Sequence, residues 1–87
     1  MRQNQEHYEN KDFYESAYLI HSGIEMESHR KEGTYTIFCF NDTPKLRKLL
    51  DTYYSLKATV EPMKFCQVIR TLKSIIHNTG GDRKIAI

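Results

Sequence analysis

The chain of 87 residues has no tryptophan, two cysteines, two prolines and four glycines. Two thiols, Cys39 and Cys66, are too few for a disulfide scaffold, so free cysteines in a cytoplasmic protein are the expectation. No stretch approaches the roughly 20 consecutive apolar residues of a membrane span. No basic start followed by an apolar run points to a signal peptide. No repeat or low-complexity segment appears.

Hydrophobic residues make up 39% of the chain and charged residues 28%, the balance of a globular protein and too apolar for a disordered one. Six tyrosines and four phenylalanines carry much of the apolar area. A chain this short forms one domain and buries only about 60–65% of its unfolded surface, so the core has to be compact. The net charge of +2 hides an asymmetry. Residues 1–43 carry four basic and eight acidic side chains, a balance of −4, whereas residues 44–87 carry nine and three, a balance of +6. If the halves face apart, the surface is dipolar, which steers partners without identifying them.

Residues 1–10 are polar and aperiodic and read as a flexible lead-in to a domain spanning 11–78. Asp12 followed by Glu15 fits a capping box, and Phe13, Ala17 and Ile20 recur at helical spacing up to Gly23, a left-handed stop. This predicts a helix over 12–22. Ile24 to Arg30 alternates, with Ile24, Met26 and Ser28 on one side and Glu25, Glu27 and His29 on the other. Gly33 suits the following turn, and 34–40 is β-branched and aromatic, giving a hairpin of 24–30 and 34–40. Its second strand is apolar on both faces, which predicts cover on both.

Pro44, with Thr43 or Asp42 as the cap, opens a second helix over 44–55, carried by Leu46, Leu49, Leu50 and Tyr53. Glu61-Pro62 opens a third over 62–77, with Phe65, Cys66, Ile69, Leu72, Lys73 and Ile76 on one face. Residues 79–87 are either a flexible tail or a short added strand. The expected fold is α+β, a β-hairpin packed against three helices in the order α-β-β-α-α. An isolated hairpin is marginal and leaves both edges open. A homodimer joining two hairpins into a four-stranded sheet is the preferred way to fill them.

Nothing in this pattern announces catalysis. His7, His21, His29 and His77 form no close pair with one another or with the cysteines, so no metal site and no cofactor are expected. His77 suits the C-terminal end of its helix. Cys66 sits near a helix start, where a thiol can be activated, but on the apolar stripe it reads as an inert core thiol. Glu25 and Glu27, and the group Glu9, Asp12 and Glu15, read as solvated acids or caps rather than an acid–base pair. The glycines before Arg83 and Lys84 lack the strand and helix of a phosphate cradle. The protein is expected not to be an enzyme.

What folding leaves over is a set of cations. Lys45, Arg47 and Lys48 lie on the second helix, Lys64, Arg70 and Lys73 on the third, and Arg83 and Lys84 follow. Several cations on one face, with Tyr53 or Tyr54 for stacking, is what phosphate-backbone binding needs. No helix-turn-helix, aromatic RNA-binding signature or glycine clamp accompanies them.

Three segments, KDFYESAYLIHSGI, YTIFCFNDTPKLRKLLDTYY and VEPMKFCQVIRTLKSII, cover most of Lys11 to His77. In them the chain resembles short prokaryotic and phage-borne domains of unknown function. The resemblance rests on caps, a strand and apolar stripes. It implies a small accessory protein associated with mobile elements and transfers no catalytic residues. The expected function is a non-enzymatic accessory or regulatory binding protein contacting nucleic acid through its basic helices. The alternative is a protein–protein module, such as a phage-type inhibitor of a host protein.

Overall fold

The structure, a computed structural model, describes residues 6–79. Its elements are β1 (His7–Asn10), α1 (Phe13–His21), β2 (Met26–Glu32), β3 (Tyr35–Asn41), α2 (Pro44–Tyr54) and α3 (Pro62–Thr79). They form an α+β fold in the order β-α-β-β-α-α: an antiparallel sheet, strand order β1-β3-β2, with three helices.

The helices start where caps supply acceptors for their free N–H groups. Asp12 accepts from the backbone N–H groups of Tyr14 and Glu15, and Thr43 Oγ1 from that of Leu46. Of Asp42 and Thr43, it is therefore Thr43 that caps α2. The Glu61 carboxylate accepts from the N–H groups of Met63 and Lys64 ahead of α3. Helix α1 stops at Gly23, φ +98°, where the Gly23 and Ile24 N–H groups donate to the Ile20 and Leu19 carbonyls. Helix α2 ends in the same pair of bonds, Leu56 to Tyr53 and Lys57 to Thr52. There Leu56 takes the left-handed position, at φ 63°.

Phe38 and Phe40 of β3 point to the helices and join Ala17, Leu19, Leu46, Leu50 and Leu72 in one buried cluster. Tyr8, Met26, Phe65, Val68, Ile69 and Ile76 pack around it. On α3 the inward stripe is therefore Phe65, Val68, Ile69, Leu72 and Ile76. Cys66 and Lys73, each one residue past a stripe position, are turned about 100° away and are exposed. The expected core thiol at Cys66 is thus on the surface, and Cys39 is the buried one.

The expected lead-in over 1–10 and the order α-β-β-α-α need correction at one point. His7–Asn10 is a strand, pairing antiparallel with β3 from His7↔Asn41 to Asn10↔Phe38. Polar side chains suit it because one face is solvated and only Tyr8 packs on the core. The β3 edge of the hairpin is thereby filled by the same chain. The free edge of β2 carries Glu27, His29, Arg30, Lys31 and Glu32, charges that blunt strand addition. The hairpin strands also run one or two residues later than expected, around a two-residue turn with Gly33 at φ +62°. The expected C-terminal strand, with Arg83 and Lys84, lies outside the described residues.

Candidate functional site

Two surfaces carry side chains that the fold does not consume. The first comprises the solvent sides of α2 and α3, two helices that each pack against α1. Lys45, Arg47 and Lys48 line one open hollow with Pro44 and Asp51, while Lys64 and Arg70 line another with Glu61, Met63, Cys66 and Gln67. Lys73 follows Arg70 by one helical turn and is exposed. Arg47 differs from its neighbours. It forms a bidentate pair with Asp42 at 2.9 and 2.7 Å, and its guanidinium stands 5.2 Å from the Tyr8 ring centroid. That pair holds the Asp42 carboxyl below the usual range. Among the described residues, Lys45, Lys48, Lys64, Arg70 and Lys73 make no ion pair. Neither α2 nor α3 has an acid in its first turn.

Tyr53 and Tyr54 are not free stacking platforms. Tyr53 stacks on Tyr18 with centroids 5.3 Å apart, and the Tyr54 hydroxyl donates to Glu15. Glu15, expected in a capping box or on a solvated face, is 1% exposed and accepts a second hydroxyl from Tyr8. Asp12 alone caps α1 with its side chain, and the Asp12 N–H is satisfied by Asn10 Oδ1 instead.

The second surface is the sheet face turned away from the helices. Here Arg30 of β2 reaches across β3 to Glu9 of β1 in two 3.0 Å bonds, and also bonds Glu32 at 2.9 Å. The guanidinium holds the Glu9 carboxyl below its usual range. Beside this lattice Cys39 lies 7% exposed, its Sγ 4.0 Å from His7 Nδ1 and 3.9 Å from Glu9 Oε2. His7 Nδ1 is 3.3 Å from Glu27 Oε1. The cover expected on this side of β3 thus consists of charged side chains of its neighbouring strands.

The register explains how Glu27 comes to be there. Met26 pairs with Phe40 and Ser28 with Cys39, so a bulge sets Glu27 and Ser28 together opposite Cys39. Past the bulge the alternation is reset: His29 pairs with Phe38 on the Met26 side, and Ser28 leaves the side the sequence alternation gave it. Sequence reading missed the juxtaposition of His7, Glu27 and Cys39 because the three are far apart along the chain. The one usable signal was the aromatic Tyr8 among polar residues.

Cys66 opens on the second of the cation-lined hollows. Around it stand Glu61, Met63, Lys64, Gln67 and Arg70, and the Glu61 N–H donates to His21 Nε2 at 3.2 Å. Another hollow, of about 480 Å³, lies between α1 and α3 and is walled mainly by Ile20, Ile24, Met26, Val68, Leu72 and Ile75. No helix among the described residues is long and apolar enough to cross a membrane.

Fold and surface together define a small α+β domain with exposed cations on two of its helices and an acid-rich, thiol-bearing sheet face. The chain belongs to the family described as a domain of unknown function, DUF5659, whose model matches residues 5–78. No curated protein and no solved structure matches the chain.

Proposed function

We propose that this domain is a non-enzymatic accessory binding protein that engages a nucleic-acid backbone through α2 and α3. One observation carries this reading: five exposed cations on those helices lack ion pairs among the described residues. The two arginines of the other described pairs, Arg30 and Arg47, are each held by carboxylates. Unneutralised exposed cations are what counterion release from a phosphate backbone rewards, and the reading requires those of α2 and those of α3 to meet one backbone from their separate hollows. A cytoplasmic setting, in keeping with two free thiols, and a role carried by phage or other mobile elements, implied by the resemblance of the sequence, agree with this reading.

The test is a salt titration of binding to DNA and to RNA. The expected result is an affinity that falls steeply with salt, with a slope reduced by about one for each phosphate-contacting cation removed among Lys45, Lys48, Lys64, Arg70 and Lys73. No binding at low salt, or a slope untouched by their replacement with alanine, rejects the reading.

A second reading, a protein–protein module such as an inhibitor of a host protein, is favoured by one feature. At the turn between α2 and α3, Leu56 is 91% exposed and held in a backbone region that costs leucine energy. A stoichiometric, nuclease-insensitive protein partner lost on Leu56→Ser would favour this reading over the first. A second copy of the chain joining through the β2 edge is the homodimeric form of the same reading, tested by mass in solution at high concentration.

A further inference from the structure

We propose that His7, Glu27 and Cys39 form a divalent-metal site for zinc on the open face of the sheet. The three strands contribute one ligand each: an imidazole from β1, a carboxylate from β2 and a thiol from β3. Their ligand atoms all lie within 4.8 Å of one another. His7 Nδ1 stands 3.3 Å from Glu27 Oε1 and 4.0 Å from Cys39 Sγ. Tetrahedral zinc with bonds of about 2.0–2.3 Å sets its ligand atoms roughly 3.3–3.6 Å apart. The triad therefore needs to close by only about 1 Å along its longest edge, which rotamer adjustment of the half-exposed His7 and Glu27 supplies.

The donor set selects the metal. One nitrogen, one oxygen and one sulfur make a borderline-soft set, which suits zinc and disfavours magnesium or calcium. The setting is anionic as well: Glu9 approaches Cys39 Sγ at 3.9 Å, and Arg30, the nearby cation, is shared between Glu9 and Glu32. Continued regularly from the Met26↔Phe40 pair, the ladder already sets Glu27 across from Cys39, and the bulge keeps it there while turning Ser28 to the same cysteine. Three protein ligands leave the fourth position to water. Binding converts the Cys39 thiol to a zinc thiolate and releases its proton to the buffer, with no change of oxidation state. The expected structural effect is to clip β1 onto β2 and β3.

The experiment titrates the purified full chain with Zn²⁺ by calorimetry in two buffers of different ionisation enthalpy, and with Co²⁺ by absorption. Expected are one ion per chain, about one proton released, and a sulfur-to-cobalt charge-transfer band with the strong visible bands of four-coordination. His7→Ala and Glu27→Gln, both at exposed side chains, should each weaken binding at least about tenfold, the least that losing even an outer-shell partner typically costs. Cys39→Ser should abolish the charge-transfer band. His77→Ala, on α3, should change nothing. The proposal is overturned if no saturable uptake occurs, if cobalt gives no sulfur band, or if uptake is undiminished in His7→Ala while circular dichroism shows the variant folded.

Discussion

Tyr54, in the last turn of α2, donates its hydroxyl to the buried carboxylate of Glu15 in α1. The other oxygen of that carboxylate accepts the hydroxyl of Tyr8 from β1. One side chain thus joins three elements, and β1 is tied to the helices by a polar contact as well as by its ladder. A buried charged acceptor is costly once a donor is lost. Tyr54→Phe and Tyr8→Phe are each expected to destabilise the fold by about 1–3 kcal/mol in urea unfolding. Tyr14→Phe, at an exposed tyrosine, should change it by less than about 0.5 kcal/mol. Equal effects at all three positions would mean that Glu15 is not held in this way.

The same tyrosines set an alkaline limit. Tyr54 is pushed up to about 12 by its bond to Glu15 and by burial, and burial with the Glu15 bond raises Tyr8 further. A folded-state value above the unfolded value of 10.0 means that the folded chain holds these protons more tightly. Their stabilisation is complete below pH 10 and is lost as pH rises through the folded values. On the acid side, Glu9 and Asp42 are lowered by Arg30 and Arg47, so their contribution is lost as pH falls below the usual carboxylate range. Thermal unfolding across pH should show a plateau between these limits. The alkaline loss should be smaller in Tyr54→Phe, and an unchanged alkaline limb would contradict the assignment.

Leu56 occupies a left-handed helix stop that glycine fills without strain, as Gly23 does for α1. Leu56 is also almost fully exposed, so little packing is lost on its removal. Leu56→Gly is expected to stabilise the domain by about 0.5–1 kcal/mol, read as a raised melting temperature. The reverse change at the other stop, Gly23→Leu, should destabilise by about 1–2 kcal/mol, and Lys45 Nζ already lies 3.6 Å from the place of its Cβ.

The two thiols should separate kinetically. Cys66 is exposed on α3 and Cys39 is buried under the charged lattice of the sheet. A colourless disulfide reagent should modify Cys66 rapidly and Cys39 only at the rate of local or global opening. In Cys66→Ser the rapid phase should vanish, and its persistence would reverse the burial of the two residues.

Arg47 separates folding from the proposed binding. Its pair with Asp42 stands at the solvent-facing end of α2, where water screens it, so Arg47→Ala should lower stability only slightly. Because its charge is already neutralised, the same variant should flatten the salt dependence of nucleic-acid binding less than Arg70→Ala does. A larger effect at Arg47 than at Arg70 would place the binding surface elsewhere.

The helices and hairpin were legible because their signals are local. Asp12, Thr43-Pro44 and Glu61-Pro62 mark helix starts, Gly23 marks a stop, and the apolar spacing from Phe65 to Ile76 marks an inward stripe. Strand β1 was not legible because four mostly polar residues carry no period of their own. They become a strand only because β3 offers an unpaired edge and Glu15 a partner for Tyr8. The placement of Cys66 failed for a narrower reason, since a residue 100° from the stripe still falls among apolar neighbours in the sequence. Glu15 failed because its capping signature is real at Asp12, while its own side chain answers to residues seven and thirty-nine positions away.

By itself, then, the sequence determined an α+β domain with three capped helices, a hairpin and a cationic second half, because propensity, capping and charge are properties of neighbouring residues. Tertiary structure decided the third strand, the burial of Glu15 and the meeting of His7, Glu27 and Cys39. Each of those depends on which edges and faces come together, which no run of neighbouring residues specifies.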